Sequence, residues 1–434
     1  MELKSKLKFS VDRKVIENIL FVAFLTFIGL YARVCLFSHE SGDYHQFLLP
    51  WYNQLKENGG FAAVGMDIGD YMPTYYYILA LLTYLPLEPL VGIKIVSCIA
   101  DLLLAFFGYK IVRELTGSVN KGIVAYGVLF FMPSVILNSG AWAQCDAIFS
   151  MFIVATIYCL IKDRDWAAAI CFSVSFVFKI QAIFFAPVLL ILLLKKKIRW
   201  RTVLALPGVY LISIIPACIA GGDFVSLLTV YSRQSTQYTS LNMYIQNVWG
   251  LLLGIDRVEK NPALASAGVY FAGGVVLVAL FCMYRAKYKI TGKAILTLSG
   301  LFTLLVPFVL PHMHERYYYL TAVITAIFVV VNIKKIWMFL IIEFCLFQAE
   351  AHYLYGKDAM DFNFSVLMVA FVLVWYFKAM YEMIKEQEIE AAEQLEQPTE
   401  AVAAELDEQE PVEAIENEAE EMVETVDVST VTQE

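Results

Sequence analysis

The chain has 434 residues, 59% of them hydrophobic and 17% charged, and a mean hydropathy of +0.64. This composition excludes a soluble globular protein and predicts a polytopic membrane protein of the all-α class. The formal charge of −9 hides a division: residues 385–434 hold eighteen Asp or Glu against Lys385, a balance of −17, so residues 1–384 carry 31 basic and 23 acidic groups, a balance of +8. The body is a basic membrane domain with no sign of a nucleic-acid partner. The tail has no aromatic residue after Tyr381, is too polar to build a core, and is expected to be disordered and cytoplasmic. The eight cysteines form no CxxC pair and read as small core hydrophobes.

The first apolar run, 15–37, is too long for a signal-peptide core and lacks a small-residue cleavage site, so it is expected to remain as a span. Lys4, Lys6, Lys8, Arg13 and Lys14 precede it and place the N-terminus in the cytoplasm of a cell-membrane protein. Lys162 and Arg164, the run Lys195, Lys196, Lys197 with Arg199 and Arg201, the segment 285–289, and Lys334 with Lys335 mark further cytoplasmic turns. The alternation gives about twelve spans, each near the ~20 residues a bilayer needs, although several are short. Residues 73–85 disturb it. A full span there would turn Lys110, Arg113 and the triple lysine outward, so a re-entrant or interfacial helix is expected, followed by one span over 89–112. The outer segments 38–72 and 221–261 are long. In the first, Trp51, Tyr52 and Leu55 suggest an amphipathic helix lying at the headgroups.

All five histidines, His39, His45, His312, His314 and His352, fall on the outer side of this scheme. Ionisable groups are costly in lipid, so their collection on one face points to binding or chemistry there. Six outer motifs carry it: Ser41-Gly42-Asp43-Tyr44-His45-Gln46; Asp67-Ile68-Gly69-Asp70-Tyr71 running to Tyr77; Asn138-Ser139-Gly140-Ala141-Trp142-Ala143-Gln144-Cys145-Asp146; Lys179-Ile180-Gln181; Tyr231-Ser232-Arg233-Gln234 through Thr239-Ser240-Leu241-Asn242 to Asn247-Val248-Trp249-Gly250; and His312-Met313-His314-Glu315-Arg316-Tyr317. Carboxylates, cations and aromatics around one outer cavity suit transfer of a sugar from a lipid phosphate. A carboxylate takes the proton of an acceptor hydroxyl. Cations meet the charge that develops on the leaving phosphate, and aromatic faces stack on sugar rings.

Each residue also has a plainer role. Asp43, Asp67 and Asp70 could be solvated loop carboxylates, and Asp146 a helix cap or first-turn acid. Lys179 could be a cytoplasmic anchor, although it precedes the triple lysine by sixteen residues, nearly a full bilayer. Arg316 could snorkel to the interface, and the tyrosine triplets 75–77 and 317–319 could form aromatic belts. His312 and His314 with Glu315 could hold a divalent metal. Histidines two apart do not share a helix face, so a metal is not favoured and no cofactor is expected. A carrier or flippase for a lipid-linked or small anionic substrate is the other class. It would show two related halves with polar groups at the midplane, and no second half mirrors the first.

The order of an acid in the first outer loop, a Trp-x-Gln-x-Asp turn, a Phe-Lys-x-Gln segment, a Thr-Ser-Leu-Asn…Asn-x-Trp-Gly loop and a Met-His-Glu-Arg-Tyr segment resembles the GT-C superfamily of membrane glycosyltransferases. More narrowly, it is similar to bacterial relatives of the mannosyltransferase that adds the second mannose in GPI-anchor assembly. The resemblance runs from about residue 19 to 381 and leaves out the acidic tail. It implies a common module over about 1–220, a variable part over about 221–384, a polyprenyl-phosphate sugar donor, a glycan, glycolipid or protein acceptor, and an inverting single displacement on the extracytoplasmic side. It also implies that Asp43 is the general base, that Asp70 ahead of Asp67 assists it, and that Asp146 is a further catalytic candidate. Lys179, His314 and Arg316 become candidates for the donor phosphate. His45, Trp142, Gln144, Gln181, Arg233, Asn242, His312 and Glu315 complete the expected substrate contacts. Ala143 stands where the family more often has Gly.

Overall fold

The computed structural model describes residues 12–234, 240–254 and 262–407. The described elements are helices apart from one pairing of two short strands. Residues 1–381 form one unit and residues 382–434 a second.

Among the described residues, seven helices are long and apolar enough to cross a membrane: Arg13–Val34, Pro89–Thr116, Trp200–Ile219, Pro262–Arg285, Gly292–Val309, Ile333–Tyr355 and Phe362–Glu390. An eighth crossing forms if Val119–Phe131 and Pro133–Trp142, bent by 51°, act as one span. The bend falls at Pro133, whose ring cannot continue the preceding helix. The chain is therefore a multi-pass membrane protein, and of the about twelve spans expected, several of them short, seven or eight are seen among the described residues. The other apolar runs form the shorter helices Asp146–Ile161, Asp165–Phe178, Ile180–Leu194 and Tyr319–Val331. At 1.5 Å per residue these fall short of the ~30 Å apolar thickness of a bilayer. They end where Gln144, Lys179 and the 312–317 motif interrupt the apolar runs.

The segment 73–85 holds the ten-residue helix Pro73–Leu82, too short to cross. The loop before it also differs from expectation. Helix Leu49–Glu57 forms, but its Trp51, Tyr52 and Leu55 are buried instead of lying at headgroups. Trp51 packs against Tyr71 and Tyr76 at ring distances of 5.2 and 5.6 Å, because the aromatic residues of Pro73–Leu82 offer it a protein surface first. The last helix runs into the acidic stretch as far as Asp407, and the disorder is expected beyond the end of that helix. Its Glu, Gln, Ala and Leu residues have high helix propensity. Residues 408–434 lie outside those described.

The first helix presents Phe21, Phe24 and Phe27 outward and buries only Gly29 and Arg33. A Cβ on Gly29 would come within 2.4 Å of the Phe130 ring, so glycine permits the close approach. Arg33 uses that contact. Its Nε donates to Asp101 Oδ2 at 2.8 Å, and its other nitrogens donate to the carbonyls of Gly29 and Phe130. Ser139 Oγ donates to the same Asp101 oxygen at 2.6 Å.

Three of the histidines meet around the last turn of helix Ile336–Tyr355. His39 packs on Tyr355, His352 stacks on Tyr244 at 3.5 Å, and Tyr244 bridges to His314.

Candidate active site

Two π-helical turns shape the site, Tyr44–Leu48 and Leu137–Trp142. Such turns widen the backbone spiral and recur at functional positions. Asp43 immediately precedes the first. The second carries Trp142 and releases the chain through Ala143 in the left-handed region, φ 65°, a conformation that favours glycine. Ala143 holds this turn although it carries a Cβ. Asp43 Oδ2 accepts from Trp142 Nε1 at 3.1 Å and from Gln144 Nε2. Its Oδ1 accepts from the Tyr353 hydroxyl. Three donors, two from the Trp142–Gln144 turn and one from helix Ile336–Tyr355, thus fix this carboxylate, and the Trp142 and Tyr353 rings stack at 4.6 Å beside it.

The facing wall comes from the 312–317 segment. Strand Met313–His314 pairs in parallel with Asn242–Met243, and His312 N donates to the Leu241 carbonyl at 2.9 Å. Asn242 Nδ2 donates to Asn247 Oδ1 at 2.8 Å, and Asn247 caps the next helix through Trp249 N and Gly250 N. Trp249 Nε1 donates to the Val309 carbonyl at 2.7 Å. The Asn242 and Trp249 motif therefore builds the frame on which Glu315 and Arg316 are mounted.

Arg316 reaches across to the first wall. Its Nη1 lies 4.0 Å from Asp43 Oδ2, and its Nε 3.7 Å from Asp146 Oδ2. Glu315 Oε1 pairs with Nη1 at 2.5 Å, and the guanidinium sits 5.2 Å over Trp142. Burial disfavours this charge, but Glu315, Asp43 and Asp146 outweigh it and hold the guanidinium firmly protonated. Lys179 breaks the run between helix Asp165–Phe178 and the 3-10 turn Ile180–Phe185, which lets its ammonium turn inward to pair with Asp146. Asn138 Nδ2 donates to the other Asp146 oxygen at 2.9 Å.

A cavity of about 200 Å³ lies between these walls. Of the residues expected to form the site, it is lined by Asp43, Asp70, Gln144, Lys179, Gln181, His314 and Arg316. Trp142, Asp146 and Glu315 are buried behind that surface. Four lie elsewhere. His45 pairs with Glu40 at 2.7 Å, Asn242 and His312 belong to the frame, and Arg233 lines an adjoining groove with Asp67 and Asp223 that shares Tyr71 with the cavity. Cys145 also lines the cavity. Burial pushes its thiol up, so it is no nucleophile at neutral pH.

Tyr353 is the participant that sequence reasoning missed, although it follows His352 directly at the polar end of helix Ile336–Tyr355. Glu350, one turn earlier and fully buried, is the available signal. An acid inside a span marks a face turned to something polar.

Burial alone would raise the Glu315 carboxyl, but the Arg316 guanidinium and His314 beside it hold it at about 2. A depressed folded-state value means that the stability it contributes is complete above the unfolded carboxylate range and is lost as pH falls through about 2. Stability curves of the wild type and Glu315→Gln are expected to run parallel above about pH 5, the wild type the more stable, and to converge as pH falls below it. An offset that stays constant down the acid limb would show that the pair does not couple to folding.

The chain matches no curated protein sequence. The model of glycosyltransferase family 87 matches residues 71–307. That segment holds Asp70's neighbour Tyr71, the Trp142–Asp146 turn and the Lys179–Gln181 segment, while Asp43, Arg316 and Tyr353 lie on either side of it. The matched segment exceeds half the chain, and it carries the Asp146–Lys179 side of the cavity on a multi-pass helical body: this protein belongs to glycosyltransferase family 87, a family of GT-C type membrane glycosyltransferases.

Proposed function

We propose that the enzyme moves one sugar from a polyprenyl-phosphate carrier to a hydroxyl of an extracytoplasmic glycan, glycolipid or protein acceptor, with inversion. The motif order resembling the second mannosyltransferase of GPI-anchor assembly favours mannose. The observation that carries the reading is a carboxylate and a guanidinium 4.0 Å apart across one cavity, Asp43 and Arg316. Asp43 takes the acceptor hydroxyl proton as the oxygen attacks the anomeric carbon. The bond from that carbon to the phosphate oxygen breaks on the opposite side, and its electron pair stays with the lipid phosphate. One displacement inverts the centre, as base-assisted attack does in inverting glycosidases.

Arg316, with Lys179 and His314 on the same cavity, meets the charge that develops on the phosphate. Glu315 and Asp146 orient these cations and reach no substrate themselves. Trp142, Gln144 and Tyr353 position Asp43. Asp70, also on the cavity wall, is the second candidate base. The lysine and arginine clusters expected in the cytoplasm support an active site on the other side.

The test is transfer of labelled mannose from polyprenyl-phosphate-mannose by the purified full-length protein, wild type beside Arg316→Gln. The expected result is a product of inverted anomeric configuration and a variant kcat lower by about 100- to 1000-fold, the usual effect of removing a group that stabilises developing negative charge. Absence of transfer from mannose, glucose and arabinose donors alike, across a panel of acceptors, would overturn the reading.

A further inference from the structure

A basic groove distant in sequence from the cavity residues is formed where the turn 195–197, after helix Ala186–Leu194, meets the turn 285–289, after helix Pro262–Arg285. It has a volume of about 780 Å³, and its lining includes Lys195, Lys196, Lys197, Arg285, Lys287 and Lys289 without one carboxylate. The two turns are joined by a built contact. Lys195 Nζ donates to the Ala286 carbonyl at 2.6 Å and lies 4.2 Å over the Tyr288 ring. Lys196 is held at φ 57°, a left-handed conformation that a lysine adopts at some cost.

A charge run is ordinarily a solvated face, and positive loops are ordinary in membrane proteins. Neighbouring cations, however, are supplied with acids: Lys162 has Glu114 at 2.9 Å, Arg199 has Asp165 at 2.6 Å, and Lys197 has Asp163 at 2.5 Å. Lys196, Arg285 and Lys287 form no ion pair among the described residues. The groove also opens at the end of apolar helix surface. Leu277, Val278 and Phe281 on one helix and Leu190 and Leu194 on the other are exposed, as lipid-facing side chains are. Concentrated positive charge at the head of an outward apolar surface is the pattern that recognises an anionic lipid.

We propose that this groove binds the phosphate headgroup of an anionic phospholipid, with Lys196, Arg285 and Lys287 as its charge partners and the acyl chains lying on the outward faces of helices Ala186–Leu194 and Pro262–Arg285. None of these residues touches the sugar-transfer cavity, so the site is separate from the proposed reaction.

The test uses the full-length protein in neutral detergent and measures retention of phosphatidylglycerol against phosphatidylcholine by native mass spectrometry. Three proteins are compared: the wild type, Lys196→Gln/Arg285→Gln/Lys287→Gln, and a control that loses the same charge elsewhere, Arg113→Gln/Lys121→Gln/Lys334→Gln. A cation held against the lipid headgroup contributes about fivefold to anionic-lipid binding. The groove variant is therefore expected to lose at least about tenfold of its preference for phosphatidylglycerol, with the control and wild type alike. Equal retention in all three proteins would overturn the site, and equal loss in both variants would reduce it to net charge. Protection of the groove by inorganic pyrophosphate but not by phosphatidylglycerol would replace the lipid with a soluble phosphate. A groove variant that fails to fold is replaced by the single change Lys196→Gln, with an expected loss of about fivefold.

Discussion

Replacing Asp43 with Asn is expected to lower sugar transfer by about 10²- to 10⁴-fold, the range that a positioned general base contributes. Asparagine keeps the shape and can still meet Trp142, Gln144 and Tyr353 through its oxygen and amide. What it loses is the ability to take a proton. Donor affinity is therefore expected to stay near that of the wild type while kcat falls. Asp70→Asn is the necessary companion, because Asp70 lines the same cavity. If transfer survives in Asp43→Asn and collapses in Asp70→Asn, the base lies on the other wall and Asp43 is a binding group. If Asp43→Asn raises KM at unchanged kcat, the residue contributes only uniform binding. Either result would leave the family intact and move the chemistry.

Asp146 is expected to behave differently from both. Lys179 and Asn138 occupy its oxygens and Arg316 Nε lies 3.7 Å away, so it anchors cations and is not placed to deprotonate an acceptor. The sequence placed it beside Asp43 in rank because a Trp-x-Gln-x-Asp turn names its residues without saying which of them face the cavity. Only the left-handed step at Ala143 settles that Gln144 turns to Asp43 while Asp146 turns to Lys179. Motif order was enough to single out Asp43, Gln144, Lys179, His314 and Arg316, which line the cavity, since polar clusters between apolar runs are conspicuous. It could not separate the frame from the wall. Asn242 and His312 looked like ligands because frame residues that bond to backbone are as polar as residues that bond to substrate. Arg33 and Asp101 were illegible for the opposite reason. Each stands alone in an apolar helix, and the pairing spans 68 positions. The span count meets a similar limit: hydropathy reports that a run is apolar, but whether it faces lipid or other helices depends on contacts. Gly292–Val309 is mostly buried in protein, whereas Arg13–Val34 is almost wholly exposed.

That hidden pair carries the largest expected effect on stability. The side chains of Arg33 and Asp101 are both 0% exposed, so neither charge can be left to water. Removing one partner of a buried ion pair costs about 3–5 kcal/mol, because the survivor stays desolvated and uncompensated. Arg33→Leu and Asp101→Leu are each expected to lose that much in thermal or denaturant unfolding in detergent. The double variant should recover most of it, since a buried pair replaced by apolar side chains is often neutral. A double variant as unstable as the sum of the singles would show that the two residues act independently. Activity supplies the second readout. Ser139 Oγ donates to Asp101 at 2.6 Å from within the turn Leu137–Trp142, the same turn that carries Trp142 and leads into Gln144 at Asp43. Loss of the pair frees that turn, so transfer in the double variant should fall further than its restored stability accounts for. If stability and activity return together, the pair serves the fold alone, and the geometry around Asp43 is held by its own three hydrogen bonds.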